Sequence, residues 1–329
     1  METLLLGPDA VEAATEWSAV VGAVEDAFAA YARGDAQMPA KSYIDLPRYD
    51  GDFRSMPAYL DAGEWDAAGV KWVNSHPENP RRFDLPTVMG TMVYSDPETA
   101  VPLAVLDGTT LTRKRTGAAA AVATDHLAVP DATSLGLVGA GVQAAAQLEA
   151  IATVRDIETV VVSDVDEAVV AAFIESYGDR FAIREGTVAE AGACDVLSTT
   201  TPVTEPIVSR GDLGPHTHVN AMGADAQGKH ELADDLLLAA TLVVDDHAQC
   251  THSGEINVPY AAGTLTDADI HAELGAVVTG EAAGRDGVEG VTVFDSTGLA
   301  IQDVAGAHVV YEYAREHDVG TAMELVATE

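Results

Sequence analysis

Two neighbouring stretches decide the fold: SLGLVGAGVQAAAQLEA, from Ser134 to Ala150, and TVVVSD, from Thr159 to Asp164. The apolar run Leu135–Val138 passes directly into Gly139-Ala140-Gly141-Val142-Gln143-Ala144. An alanine-rich helical segment follows, and a second apolar run, Thr159–Val162, ends at Ser163-Asp164. Strand, glycine turn, helix, strand and acid in this order form the pattern of a dinucleotide-binding unit. Gly139 permits the tight turn off the strand. Gly141 lets the backbone approach a pyrophosphate with no Cβ in the way, and Ala144 is the third small position, where helix meets strand. The helix N-terminus offers free N–H groups and the positive end of its dipole to phosphate. Asp164 is placed to accept hydrogen bonds from ribose hydroxyls and would repel a 2′-phosphate, which favours NAD over NADP. The glycine spacing alone also fits an ordinary strand–turn–helix; the flanking strand, helix and acid make it specific.

A chain of 329 residues suits two domains or one large one, and 47% hydrophobic content supports a substantial core. No apolar run approaches the roughly eighteen residues of a membrane span. The start, METLLLGPDAVEAATEW, lacks the basic residues and cleavage site of a signal peptide. Two cysteines, Cys194 and Cys250, cannot build a disulfide framework and fit a reducing compartment, so a cytoplasmic location is expected.

Acids outnumber Lys and Arg by 53 to 17, giving a formal net charge of −36. Disordered acidic chains lack apolar content, and this one does not, so the excess acid must coat a folded surface. Such a surface repels nucleic acid and anionic membranes, and neither is expected as a partner. Its self-repulsion is relieved at high salt, where the Debye length falls to about 3 Å at 1 M. The composition therefore reads as halophilic. Lysine is reduced to four residues, Lys41, Lys71, Lys114 and Lys229, which draws attention to each.

Residues 9–34 carry apolar side chains at helical spacing, from Val11 through Trp17 and Val24 to Tyr31, with Asp9 as a candidate cap and Gly34 as a stop. Residues 38–108 read as short strands separated by Pro, Gly and Asp: Lys41–Leu46, Phe53–Leu60, Ala67–Asn74, Thr87–Tyr94 and Ala100–Leu106, an antiparallel sheet. Residues 109–127 are helical. From Ser134 strands alternate with helices, at Leu135–Val138, Thr159–Val162, Phe181–Arg184, Val196–Thr199, Thr217–Asn220, Leu242–Val244 and Val291–Phe294, which implies a mainly parallel sheet. A last helix covers Leu299–His317. The fold class expected is α/β: a Rossmann-type parallel-sheet domain plus an α+β domain.

Three polar clusters follow predicted strands: Thr199-Thr200-Thr201-Pro202, the segment Asn220–Asp225, and Asp295-Ser296-Thr297-Gly298. Ligands of such sheets bind at the carboxyl ends of the strands, so these clusters can line a nicotinamide pocket or simply turn the chain. Arg54, Lys71 and Arg115 supply positive charge in the first part of the chain. Arginines grip carboxylates bidentately. A lysine between Val70 and Trp72 in an apolar strand is unusual, and burial would lower its pKa towards the range of an acid–base catalyst; surface ion pairs and a snorkelling lysine are the plainer alternatives. His216 and His218 are the close histidine pair, but no partner cluster has ligand spacing, so no metal is expected. No G-x-S-x-G elbow is present.

The segments QMPAKSYIDL, FRSMPAYL, GVKWVNSHPENP, LPTVMGTMVYSDPET, TLTRKRTGAAAA, GLVGAGVQA, TTTP, VNAMGADAQGKHEL, GEINV and FDSTGLAIQDVA span nearly the whole chain in order. With them the chain resembles the ornithine cyclodeaminase/μ-crystallin family, and within it the branch of archaeal alanine dehydrogenases. The resemblance implies a central NAD-binding Rossmann domain over residues 115–302. Residues 1–114 and 303–329 would form the substrate-binding and dimerisation domain of a homodimer. It places Arg54, Lys71 and Arg115 on positions that hold the substrate carboxylate, Lys71 and Asp225 on the catalytic positions, and Thr87 in the substrate pocket. Thr116, Val142, Gln143, Asp164, Met222, Lys229 and Ser296 fall on or beside cofactor positions, with Gly139, Gly141 and Thr200 in the matching glycine and TTTP segments.

The chemistry so implied is oxidation of an α-amino acid: hydride leaves Cα for NAD⁺, an imine forms, and water addition converts alanine to pyruvate and ammonia, reversibly. Ornithine would instead close on its own side-chain amine and give proline and ammonia. The shared first step leaves these reactions, and ketimine reduction, open alongside each other. A μ-crystallin-like cofactor-binding protein is the alternative without catalysis; the pair Lys71 and Asp225 argues against it, because a binding module needs no acid–base pair.

Overall fold

The computed structural model describes residues 2–327; Met1, Thr328 and Glu329, the outer ends of the first expected domain, lie outside the described residues. The chain forms two compact units, one running to Arg115 and resuming at Leu299, the other spanning Thr116–Gly298. Among the described residues no helix is long and apolar enough to cross a membrane.

The first unit holds strands β1 (Thr3–Leu6), β2 (Ala36–Gln37), β3 (Ser42–Leu46), β4 (Gly51–Asp61), β5 (Asp66–Ser75), β6 (Gly90–Ser95) and β7 (Pro102–Asp107). Together with a terminal strand, Thr321–Met323, they form one sheet in the order terminal strand, β1, β7, β6, β5, β4, β2, with β3 also paired to β4. The predicted antiparallel run is β3–β7; the parallel pairing of β1 with β7 was not anticipated. The strand expected from Thr87 starts at Gly90 instead. Over residues 87–89 the Asn74 side chain joins in, its Oδ1 accepting from Met89 N at 2.9 Å and its Nδ2 donating to Thr87 O at 3.3 Å, while Asn74 N and His76 N donate to Met89 O and Thr87 O.

The helix expected over residues 9–34 is two, Pro8–Ala14 and Trp17–Arg33. Pro8 occupies the first turn, where its missing N–H costs nothing, so Asp9 lies inside the helix rather than capping it. Glu16 caps the second helix by accepting from Ser18 N and Ala19 N, and Gly34, at φ 82°, ends it. The helix Trp17–Arg33 buries Val20, Val24, Ala27 and Phe28. It packs on the C-terminal helix Ala300–His317, which also lies on β4 and β5.

The second unit holds β8 (Ser134–Val138), β9 (Thr159–Ser163), β10 (Ala182–Glu185), β11 (Val196–Thr199), β12 (His218–Ala221), β13 (Thr241–Val244), β14 (Ile270–Glu273) and β15 (Thr292–Asp295). Their order is β10-β9-β8-β11-β12-β15-β13-β14, and the pairings are parallel throughout. Helices cover both faces of such a sheet, so its strands are apolar on both sides: Leu135, Leu137, Val160 and Val162 belong to one core, Leu197, Val219, Leu242 and Val293 to the other. β14, IHAE, escaped the sequence reading because it is a polar strand at the sheet edge. The chain winds outward from β8 through β9 to β10, then returns to start β11 on the other side of β8. That reversal is the topological switch point, where doubly wound sheets bind ligands.

Candidate active site

In the second unit the parallel register lines up the strand ends. Ser163, Val138, Thr199, Ala221, Asp295 and Val244 are successive neighbours across β9, β8, β11, β12, β15 and β13. The next residue along each strand therefore falls on one rim: Asp164, Gly139, Thr200, Met222, Ser296 and Asp245. All but Asp245 are residues singled out from the sequence. A single sheet edge thus carries what the sequence held in five separate segments.

Gly139 turns the chain at φ 93°, and a Cβ there would stand 2.8 Å from Thr200 Oγ1, so both the conformation and the space demand glycine. Gly141 precedes the helix Val142–Ile151 without any side-chain cap, and a Cβ on it would meet nothing within 4 Å. Gln143 Oε1 is buried without a hydrogen-bond partner at the same helix start. An uncapped first turn, approached over bare glycine, fits a phosphate-bearing group.

Asp164 does more than the sequence reading assigned to it. Its Oδ2 accepts from Ala140 N at 2.7 Å and its Oδ1 from Asp166 N at 3.0 Å, so the carboxylate fastens the glycine turn to the end of β9. A carboxylate offers about four acceptor sites, which leaves capacity for hydroxyl donors.

Behind the rim lies a ladder of buried carboxylates. Glu231 accepts from Thr199 Oγ1 (2.7 Å), Thr201 N (2.7 Å), Thr201 Oγ1 (2.7 Å) and Gly223 N (2.9 Å). Its own N–H donates to Glu255, whose N–H donates to Asp295 Oδ1 at 2.8 Å. Asp245 accepts from Ser296 Oγ (2.8 Å), Thr297 N (2.8 Å) and Gly298 N (2.9 Å). The four acids are at most 1% exposed. Burial raises the proton affinity of Glu231. It raises that of Glu255 strongly, with the Glu231 charge adding to the effect, and it lifts Asp295 to about 7. The Ser296 hydroxyl, on the rim, thus spends its proton on Asp245. Asp225 and Lys229, in the loop after β12, form a 2.5 Å ion pair. Met222 N donates to Thr199 O, and Thr116 is buried.

In the first unit β4 and β5 pair with Arg54 opposite Val73 and Met56 opposite Lys71, so Arg54 and Lys71 share one face of the sheet. Lys71 is 1% exposed. Its Nζ donates to Asp303 Oδ1 at 2.7 Å and to Thr112 Oγ1 at 3.1 Å. Arg115 Nε donates to the same Asp303 Oδ1 at 2.9 Å, and its Nη1 to Gln302 at 3.0 Å. Burial lowers the pKa of Lys71 to about 7; Asp303 opposes that shift and Arg115 adds to it. Arg54 is held in a fork with Asp52, at 3.0 and 2.9 Å. The structure thus joins Lys71 to Arg115 and sets Arg54 on the same face. Thr87 is not joined to them by any of these bonds: its carbonyl meets Asn74, which projects from the opposite face of β5. On that opposite face a cavity of about 500 Å³ is lined by Phe53, Trp72, Asn74, His76, Phe83 and Met89.

Sequence reasoning missed Asp303, Glu231 and Glu255, and named Asp295 only as part of a polar cluster after a strand. The available signal was an acid inside an apolar run, as in AIQDVA around Asp303 and VFDS around Asp295. His218 of the close histidine pair is a core residue: both ring nitrogens are bonded, to Thr292 and Asn220, and burial lowers its pKa to about 3.

Comparison with known proteins gives the family and the fold. The model of the ornithine cyclodeaminase/mu-crystallin family matches residues 1–318. An alanine dehydrogenase of Archaeoglobus fulgidus is 46% identical over 325 residues, 98% of this chain and 99% of that protein. The solved dimer of an archaeal alanine dehydrogenase with bound NAD superposes with a TM-score of 0.94 at 46% identity, covering 99% of this chain and 100% of that one. The Δ1-pyrroline-2-carboxylate reductase of Thermococcus litoralis, in complex with NADH and L-proline, gives 0.92 at 35% identity, covering 97% and 99%.

Proposed function

We infer that this chain, which belongs to the ornithine cyclodeaminase/mu-crystallin family, is an NAD-dependent amino-acid dehydrogenase that oxidises L-alanine to pyruvate and ammonia and runs the reverse reductive amination. The observation that carries the reading is Lys71: a buried lysine whose pKa is lowered to about 7, sharing one carboxylate with an arginine. A group poised near neutrality is what proton transfer to and from a substrate nitrogen requires. The 46% identity to an alanine dehydrogenase over nearly the whole chain supports alanine as substrate.

NAD⁺, when bound, supplies the hydride acceptor. Gly139, Gly141, Val142 and Gln143 would hold its pyrophosphate at the helix start and Asp164 its ribose. Thr116, Thr200, Met222, Lys229 and Ser296 would line the remaining cofactor site. Arg54 and Arg115 bind the amino-acid carboxylate and orient the Cα–H bond. Lys71 moves the proton at nitrogen, and Asp225 activates the attacking water. Thr87 limits the side chain. Holding both reactants in a reactive geometry supplies much of the rate. We assign the first unit to substrate binding and to a homodimer, because exposed Trp72, Phe83 and Leu85 lie about the cavity on the face away from Lys71. The acidic surface supports function in a salty cytoplasm.

A second reading, reduction of a cyclic imine, is favoured by the likeness to the pyrroline-carboxylate reductase. One assay separates the readings. Purified protein in molar KCl receives NAD⁺ with alanine or ornithine, or NADH with Δ1-pyrroline-2-carboxylate, and NADH, proline and ammonia are followed. NADH formed with alanine supports the first reading. Proline from ornithine without net NADH, or faster turnover of the cyclic imine than of pyruvate plus ammonia, overturns it.

A further inference from the structure

Asp303 lies in the helix Ala300–His317, 232 positions from Lys71, and is fully buried. A single oxygen, Oδ1, accepts from Lys71 Nζ and from Arg115 Nε, while the other, Oδ2, is buried with no hydrogen-bond partner. That arrangement is poor as a stabilising device. Two cations share one anion, and a buried carboxylate oxygen is left unsatisfied, which costs free energy. It is well suited to holding two cationic groups at a fixed separation while leaving the trio with one positive charge in excess when Lys71 carries its proton. An incoming carboxylate restores the balance.

We propose that Asp303 is a positioning residue: it holds Lys71 Nζ and Arg115 Nε on one carboxylate oxygen and so sets both the placement of the lysine and its hold on a proton. This rests on the dehydrogenase reading for its catalytic consequence, but not for its physical content. The groups that face Lys71 are few. Asp303 comes from the C-terminal helix and Arg115 from the helix Gly108–Leu127, and Met56 and Met92 flank it on the neighbouring strands. Lys41 adds positive charge, and Arg54 with its partner Asp52 shares the same sheet face. Asp303 is the acid in direct contact. Removing its charge therefore makes Lys71 surrender its proton more readily, and any limb of the pH–rate profile that reports Lys71 moves to lower pH.

The small number of lysines makes this directly readable. Lysine labelled with ¹³C at Cε gives four side-chain signals, and a Lys71→Met protein identifies the one from Lys71. The full-length protein, Asp303→Asn and Asp303→Glu are titrated by NMR in molar KCl, and kcat/KM for alanine oxidation is measured across the same pH range. In Asp303→Asn the Lys71 midpoint is expected to fall by about one unit or more, with the kinetic limb following it. In Asp303→Glu, which keeps the buried charge but displaces it, both fall by less; this variant carries the test if the asparagine protein does not fold. An unmoved midpoint in a folded, active variant overturns the assignment of Asp303. A midpoint that moves in a protein inactive on every amino acid tried overturns the dehydrogenase reading and leaves the assignment standing.

Discussion

Lys71 Nζ and Arg115 Nε reach the same oxygen of Asp303, at 2.7 and 2.9 Å. Strand β5, the helix Gly108–Leu127 and the C-terminal helix are thereby tied at one buried atom. The arrangement gives Lys71 an environment that neither strand β5 nor its apolar neighbours would supply.

Replacing Lys71 by methionine should keep the shape of the site and remove its proton chemistry. Turnover of alanine is expected to fall at least about a hundredfold, the lower end for loss of a general acid–base. NADH binding, followed by its fluorescence, should persist. The wild-type kcat/KM profile should show a limb near pH 7, and the residual activity of the variant should lack it. Undiminished turnover would remove Lys71 from the mechanism.

Asp164→Ser should do two things at once. It removes the charge that would repel a 2′-phosphate, so the preference for NADH over NADPH is expected to narrow. It also releases Ala140 N, so affinity for both cofactors should drop. A hydrogen bond to a charged group contributes about 1.5–3 kcal/mol, which is a loss of roughly ten- to a hundredfold in NADH affinity. Titration of both cofactors checks this; an unchanged NADH affinity would assign Asp164 no part in holding the turn.

Glu231→Ala leaves Thr201 N and Gly223 N inside the second unit without their acceptor. The expected cost is about 3 kcal/mol of stability, read from urea unfolding at fixed KCl, because each buried donor left unpaired costs about 1–3 kcal/mol. Cofactor affinity should fall with it, since the turns carrying Thr200 and Met222 lose their common anchor. A variant as stable as the parent would show that water replaces the carboxylate.

The charge of −36 predicts a steep dependence on salt. Thermal unfolding followed by circular dichroism should shift upward as KCl rises from millimolar to molar, most of the rise coming as the Debye length drops below about 10 Å. Sodium and potassium chloride should act alike if screening is responsible. A melting temperature insensitive to salt would end the halophilic reading.

The parallel sheet was legible because buried parallel strands are short apolar runs, and VVVS, VLST and TLVV read as such in isolation. Gly139 and Asp164 were legible because their spacing is local. The rim was only half legible. Thr200, Met222 and Ser296 follow predicted strands, but their alignment depends on register between strands far apart in sequence. Asp303 and Glu231 were hidden for a related reason. A helical or loop acid looks solvated until the partner across the fold is known, and in a chain with 53 acids no single one stands out. At the break near Thr15 and Glu16 and in the segment from Thr87 to Met89, side chains take up backbone N–H groups, Glu16 that of Ala19 and Asn74 that of Met89, which no sequence pattern announces.

The buried acids behind the rim and the buried lysine of the first unit make folding a proton exchange with the solvent. Asp295 moves from its ordinary 3.8 to about 7, so between these values the folded chain holds a proton that the unfolded chain lacks; the stability linked to this group falls as pH rises through that window. Glu231 and Glu255 act in the same direction. Lys71 moves from 10.5 to about 7, so over that range folding releases a proton and the linked stability rises with pH. Proton uptake on the acid side and release on the alkaline side meet near neutrality, where both kinds of burial cost most. The protein is thus least helped by its ionisable interior at the pH where its lysine is best poised to work.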